Sequence, residues 1–190
     1  MAEELGRWGW HQLDRRWAAR LVDAAGINPG DLVLDVGAGR GVITEQLLAV
    51  GARVLAVELH PGRAAGLRTK FAAQRVTVVR ADAADLRLPT RPFKVVANPP
   101  FAITTALLRR LTHPKSRLQH ATLILPTWAA TRWAVGRGVG GATSKRTFEF
   151  TLGPRVPARA FRPCPPGQTA ILTINRVPSA RAGRRSTATC

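Results

Sequence analysis

An open, mostly parallel α/β sheet is the fold class this sequence predicts, and three observations carry it. Short apolar, β-branched runs alternate with stretches of helical periodicity. A glycine cluster, Asp35 to Gly41, falls where the first such run meets a helix. The 190-residue length and 45% apolar content suit one well-packed domain.

The elements follow in chain order. Leu13, Trp17, Leu21 and Ala25 recur every four residues and predict a helix from Leu13 to Ala25. Strand Leu32 to Gly37 leads into helix Val42 to Val50. Strand Arg53 to Leu59 leads into helix Pro61 to Phe71, with Pro61 suited to a first helical turn. Strands Val76 to Asp82 and Lys94 to Pro99 come next, then helix Thr104 to Leu111, strand Ala121 to Pro126 and helix Thr127 to Val135. The last two strands, Arg146 to Gly153 and Ala170 to Val177, are joined by the Pro-rich stretch Pro154 to Gly167 with no helix between them. That connection predicts a hairpin-like return, hence an antiparallel strand at that end of a seven-stranded sheet with helices on both faces. The glycine-rich Gly136 to Gly141 and the polar Ser179 to Cys190 have little to bury and are expected to be mobile.

Composition narrows the function. No run of 18 uncharged apolar residues occurs, and Met1 to Trp10 is no signal peptide, so a soluble, cytoplasmic chain without membrane association is expected. Two cysteines, Cys164 and Cys190, form neither a disulfide framework nor a metal-ligand spacing; no metal is expected. The net charge is +18 and lopsided: residues 1–85 hold 11 basic and 10 acidic side chains, residues 86–190 hold 18 basic and one acid, Glu149. Such a field attracts a polyanion, and Arg pairs bidentately with phosphate, so nucleic acid is the leading partner. A GC-biased genome would account for Arg over Lys but not for the loss of acids after Asp85.

The chemistry-bearing residues sit at the ends of the predicted strands. In DVGAGRG, Gly37, Gly39 and Gly41 permit a tight turn and close approach of a ligand to the backbone, before a helix N-terminus. The spacing is not the dinucleotide GxGxxG, since Val42 and Ile43 stand where its last glycine would. Glu58, 17 residues after Gly41, suits both hydroxyls of a ribose. Asp82 suits an exocyclic adenine amine, with the Ala83 N–H donating to a ring nitrogen. Each acid alone reads equally as a loop acid or helix cap; three at successive strand ends read as a cofactor pocket. The fourth strand ends in ANPPF. There Asn98 and the Pro99 carbonyl can accept from an aromatic amine while Phe101 stacks on its ring, a contact worth about 1–3 kcal/mol. An ordinary turn and a core ring are the alternative reading.

The order DVGAGRG, AVELHP, RADA, VVANPPF resembles class I (Rossmann-like) methyltransferases that use S-adenosylmethionine and methylate adenine N6. Within them the chain resembles the Erm family of 23S ribosomal RNA adenine N6-methyltransferases, relatives of the KsgA-type dimethyladenosine transferases. VPARAFRPCPPGQTAI, Val156 to Ile171, resembles the late-strand region of that group, and the likeness covers about Gly9 to Val177. It implies a methyltransferase domain over residues 1–178 and a basic, disordered tail over 179–190, in a short form lacking the family's helical C-terminal domain. It also implies a monomer that confers macrolide, lincosamide and streptogramin resistance. Asp35, Gly37, Ala38, Gly39, Gly41, Glu58, Leu59, Asp82, Ala83 and Asn98 would hold the cofactor. Trp10 and His11, in GWHQL, would touch its methionine end; Asn98, Pro99 and Phe101 would act on the base. Arg109, Arg110, Lys115, Arg117, Arg132, Arg137, Lys145 and Arg146, which flank the crevice in sequence, are expected to contact phosphate. NPPF departs from the family's Asn-Ile/Leu-Pro-Tyr/Phe, which leaves a 16S dimethyladenosine transferase or a DNA adenine N6-methyltransferase as neighbouring readings. An inactive basic RNA-binding or ribosome-assembly module is the reading from another class.

Overall fold

The computed structural model describes residues 11–137 and 147–178. A two-residue strand β1 (Gln12–Leu13) precedes helix α1 (Arg15–Ala24). Then come β2 (Leu32–Val36), α2 (Val42–Ala49), β3 (Arg53–Val57), α3 (Pro61–Lys70), β4 (Val76–Val79) and β5 (Phe93–Ala97). The chain continues through α4 (Thr104–Leu111), β6 (Leu118–Pro126), α5 (Thr127–Ala134), β7 (Phe148–Val156), β8 (Phe161–Arg162) and β9 (Thr169–Arg176).

Seven strands form one sheet in the order β4-β3-β2-β5-β6-β9-β7. β2 to β6 are mutually parallel; β9 runs antiparallel to both its neighbours and is the reversed strand, lying between β6 and the edge strand β7. The switch point, where strand order turns from β2 to β5, opens a crevice at the carboxyl ends of the parallel strands.

Parallel strands covered on both faces bury nearly every side chain, which is why these segments read as continuous apolar runs. On one face Leu34, Val95, Leu123 and Leu172 pack with Leu107 and Leu111 of α4 and Trp133 of α5. On the other, Val33, Val54 and Val96 pack with Leu21, Leu47 and Leu67 of α1, α2 and α3. Each fully buried Leu contributes roughly 1.5–3 kcal/mol.

Several boundaries differ from expectation: β4 ends at Val79 rather than Asp82, β6 starts at Leu118 rather than Ala121, and two more differ for local reasons. α1 begins at Arg15 because the Asp14 carboxylate accepts from Trp17 N at 2.7 Å and caps it, which frees Gln12 and Leu13 to pair with Arg162 and Phe161. β7 runs on through Gly153 to Val156 across a register shift between Leu152 and Arg155. α3 starts as the sequence suggests, with Pro61 in its first turn, and the His60 ring accepts from Arg63 N at 3.2 Å. The 179–190 tail, Trp10, Lys145, Arg146 and most of Gly136–Gly141 lie outside the described residues.

Candidate active site

The glycine turn that leaves β2 is fixed by backbone geometry. Gly37, Gly39 and Gly41 all have positive φ, at 76°, 59° and 81°. A Cβ on Gly37 would lie 2.8 Å from Pro100 Cδ, and one on Gly41 2.7 Å from the Phe71 ring. The first contact seats the turn directly on the Asn98–Pro100 segment leaving β5. The turn's own amides are largely consumed inside the protein. Gly37 N and Ala38 N both donate to Val57 O, at 2.8 and 3.0 Å, Gly39 N donates to Glu58 Oε2 at 2.9 Å, and Gly41 N to Ala38 O at 2.8 Å. The crevice is lined by these turn residues, Gly37 to Arg40, together with Val42 and Ile43 in the first turn of α2, whose N-terminus is where the sequence places unpaired N–H groups.

Glu58 is buried and already bonded. Beyond Gly39 N, its Oε1 accepts from His60 N at 2.8 Å and from the Arg63 guanidinium at 3.0 Å. A carboxylate oxygen accepts about two bonds, so Oε2 keeps one acceptor direction for a ligand rather than the two open oxygens expected for a ribose. Leu59 beside it is exposed. Asp82 is exposed and caps the Ala83–Asp85 turn by accepting from Ala84 N at 2.8 Å, while Ala83 is buried beneath it.

Asp35 and Asn98 form the floor. Both line one small cavity of about 30 Å³, together with His11, Leu13, Gly37 and Ala38, which is room for water-sized groups. Asp35 Oδ2 accepts from the Thr44 hydroxyl at 2.6 Å, while Oδ1 is buried without a partner. Burial pushes this carboxyl up to about 7, with the Glu58 charge adding to the rise and the Thr44 bonds opposing it. Asn98 Nδ2 donates to His11 O at 2.8 Å, which fixes the amide's orientation and leaves Oδ1 buried and unpaired. The half-buried Phe101 opens a short 3₁₀ turn, and its ring lies 5.6 Å from that of His11, tilted by 31°. His11 is in turn held by a 3.0 Å bond between Nδ1 and Pro163 O, beside the β1–β8 pair. Two buried acceptors facing one cavity without a donor call for a ligand that brings donors.

The basic residues expected at the crevice are spread more widely. α4 and α5 leave the crevice end of the sheet and run toward the other end, carrying Arg109, Arg132 and Arg137 along them, Lys115 and Arg117 precede the start of β6, and Arg110 reaches back to the Ala83–Asp85 turn that Asp82 caps. Arg110 is committed to the fold: Nε donates to Ala84 O at 2.6 Å, Nη1 to Leu86 O at 3.2 Å, and Nη2 pairs with Asp85. Arg132 Nε donates to Arg137 O at 3.0 Å. Exposed cations at the crevice end include Arg40, which lines the cavity, and Arg155, Arg159 and Arg162. Val156 and Pro126 both register with Thr169 there, and Arg162 pairs with Gln12, next to His11. The place of Arg155, Arg159 and Arg162 depends on the reversed β9, which the Pro-rich connection foreshadows, and on the β1–β8 pairing, which no local pattern announces. Trp128, 63% exposed, stands beside them in the first turn of α5.

Comparison with known proteins bears on this geometry. The profile described as ribosomal RNA adenine dimethylase matches residues 12–181. The mycinamicin-resistance protein MyrB of Micromonospora griseorubida is 38% identical over 169 residues, covering 86% of this chain and 53% of that protein. An rRNA adenine N-6-methyltransferase of Corynebacterium diphtheriae is 35% identical over 153 residues, covering 76% of this chain and 58% of that one. This chain thus spans little more than half the length of these curated relatives. The crystal structure of the 23S rRNA methyltransferase ErmE superposes with a TM-score of 0.76 at 29% identity, over 86% of this chain and 68% of that one. With a profile match across nearly all the described residues and a shared architecture, the chain belongs to the ribosomal RNA adenine dimethylase family.

Proposed function

We propose that this chain transfers a methyl group from S-adenosylmethionine to N6 of an adenine in 23S ribosomal RNA, in the cytoplasm, and so confers macrolide-class resistance. The single observation that carries the reading is the Asn98 amide, whose nitrogen is tied to His11 O while its buried oxygen awaits a donor. Adenine N6 is a conjugated, weakly nucleophilic amine that offers two N–H donors. With Asn98 Oδ1 and the Pro99 carbonyl accepting from both, the nitrogen lone pair is drawn out of conjugation and aimed at the methyl donor.

The residues present fit the cofactor. The glycine turn leaves no room for side chains, Asp35 Oδ1 is a buried acceptor suited to an ammonium, and Glu58 Oε2 keeps one acceptor direction for a ribose hydroxyl. When bound, S-adenosylmethionine supplies an electrophilic methyl on sulfonium. Phe101 stacks on the flipped base, Asn98 and Pro99 orient its amine, and the proton released after transfer leaves to water, so no general base is required. Asp82 and Ala83 would hold the cofactor's adenine. Arg155, Arg159 and Arg162 grip the phosphates next to the flipped nucleotide.

The test is transfer of labelled methyl to protein-free 23S RNA, with 16S RNA and duplex DNA in parallel, followed by nucleoside mass spectrometry. N6-methylated adenosine confined to 23S RNA is expected, and the product also counts the methyl groups. Transfer confined to 16S RNA or DNA moves the chain to a sister activity, and no transfer with retained RNA binding makes it a binding module.

A further inference from the structure

The end of the sheet opposite the crevice carries two grooves that the chemistry above does not use. One, of about 710 Å³, lies between the turn entering β6 and the end of β9 and is lined by Lys115, Ser116, Arg117, Gln119 and Arg176. The other, of about 690 Å³, runs along the starts of β3 and β4 and includes Arg53, Arg75 and Arg91. Neither groove is lined by a carboxylate, and none of these six cations forms an ion pair among the described residues.

Arg176 is built into its groove. Its Nε donates to Leu118 O and its Nη2 to Ser116 O, both at 2.6 Å, and the guanidinium lies 4.6 Å from the Phe148 ring centroid. Three restraints hold the plane in place before any ligand arrives, so little side-chain entropy remains to be lost on binding. Burial and the neighbouring Arg117 charge both act against its protonated form. Two guanidinium groups gathered without a carboxylate are relieved by an anion between them.

We propose that this distal end is a second docking surface for RNA, in which the phosphate backbone beyond the target nucleotide occupies the acid-free grooves at Arg176 and Arg53. The proposal rests on the reading that RNA is the substrate. It takes a polyanion rather than a small anion, because the cations are spread over two separate grooves at one end of the sheet. The nine residues of β6 separate this end from the crevice by roughly 30 Å. A short RNA that fills the crevice therefore does not reach the distal grooves, whereas a long structured RNA does.

The experiment compares the intact protein with the double variant Lys115→Ala/Arg117→Ala, whose exposed side chains lie outside the crevice. Binding is measured from 50 to 300 mM salt on a long 23S RNA fragment and on a minimal hairpin bearing the target adenine, with methyl transfer measured on the hairpin. Loss of two phosphate contacts should lower the salt slope on the long RNA by about 2, with hairpin binding and turnover unchanged. An unchanged slope on the long RNA overturns the proposal, as does equal weakening on both RNAs. Arg53→Ala/Arg91→Ala repeats the test on the other groove should the first variant melt early. Because the slope is a binding readout, it is scored separately from methylation: an altered slope without methyl transfer keeps the docking surface and overturns the proposed activity.

Discussion

Replacing Asp35 by Asn tests the buried floor of the crevice most sharply. The carboxyl rises from 3.8 to about 7 on burial, and at 1.36 kcal/mol per unit this corresponds to about 4 kcal/mol. Because the folded value lies above the unfolded one, the native state holds the proton more tightly. This contribution to stability is fully present below pH 3.8 and is lost as pH rises toward 7. Asn cannot ionise and removes that dependence. It keeps an oxygen for the Thr44 hydroxyl but places an amide nitrogen where Oδ1 has no partner, a defect of about 1–3 kcal/mol at every pH. The variant is thus expected to be less stable than the parent near pH 4 and more stable near pH 8. The constant defect cancels when the two are compared, leaving a swing of about 4 kcal/mol in their stability difference across that range. Urea unfolding at a series of pH values measures it. Parallel stability curves for the two proteins would show that Asp35 ionises like a solvated carboxylate and refute the reasoning.

Three further outcomes follow from the geometry. Asn98→Ala should leave S-adenosylmethionine affinity by calorimetry within threefold and lower methyl-transfer kcat by about 100-fold or more; substantial residual turnover removes Asn98 from the mechanism. Gly37→Ala places a Cβ 2.8 Å from Pro100 Cδ at φ 76°, so backbone strain alone should remove about 1–2 kcal/mol, seen as a lower melting temperature, with turnover falling as Asn98 is displaced. Arg110→Ala should lower the melting temperature by unpinning Ala84 and Leu86 while leaving the salt dependence of RNA binding unchanged; a shallower slope at equal stability would return Arg110 to the phosphate contacts.

Sequence pattern carried the parallel core well, because its central strands are buried on both faces and each helix on one, and that demand is written into consecutive residues. Val33 and Leu34, or Val95 and Val96, serve opposite faces of the same strand, so both are apolar. The β1–β8 pair was not legible: two residues are too few for any periodicity, and Leu13 and Phe161 meet by backbone pairing across most of the chain. The site divided along the same line. Asn98, Gly37 and Asp35 were legible as side chains or turns of recognisable type. The His11 carbonyl that orients Asn98 was not, since a backbone acceptor has no residue type. Distance along the chain also misled the placement of the arginines. Arg109 and Arg110 lie near Phe101 in sequence, but α4 carries them along the sheet and commits Arg110 to the Ala84 and Leu86 carbonyls, whereas Arg162 is 61 residues beyond Phe101 and returns to the crevice through β8.

The clip made by β1 and β8 joins these regions with few bonds: two residue pairs, the Asp14 N to Ala160 O bond at 2.8 Å and the His11–Pro163 contact. The glycine turn and Glu58, by contrast, grow out of the centre of the parallel sheet. Local opening therefore has two tiers. A fluctuation that unzips the clip releases the His11 carbonyl and lets the Asn98 amide rotate while the cofactor residues stay assembled. On warming, amide-hydrogen exchange should quicken at Gln12 and Leu13 before it does at Val57 or Glu58, and under the proposed function the protein should pass through a range in which it still takes up S-adenosylmethionine but no longer transfers its methyl.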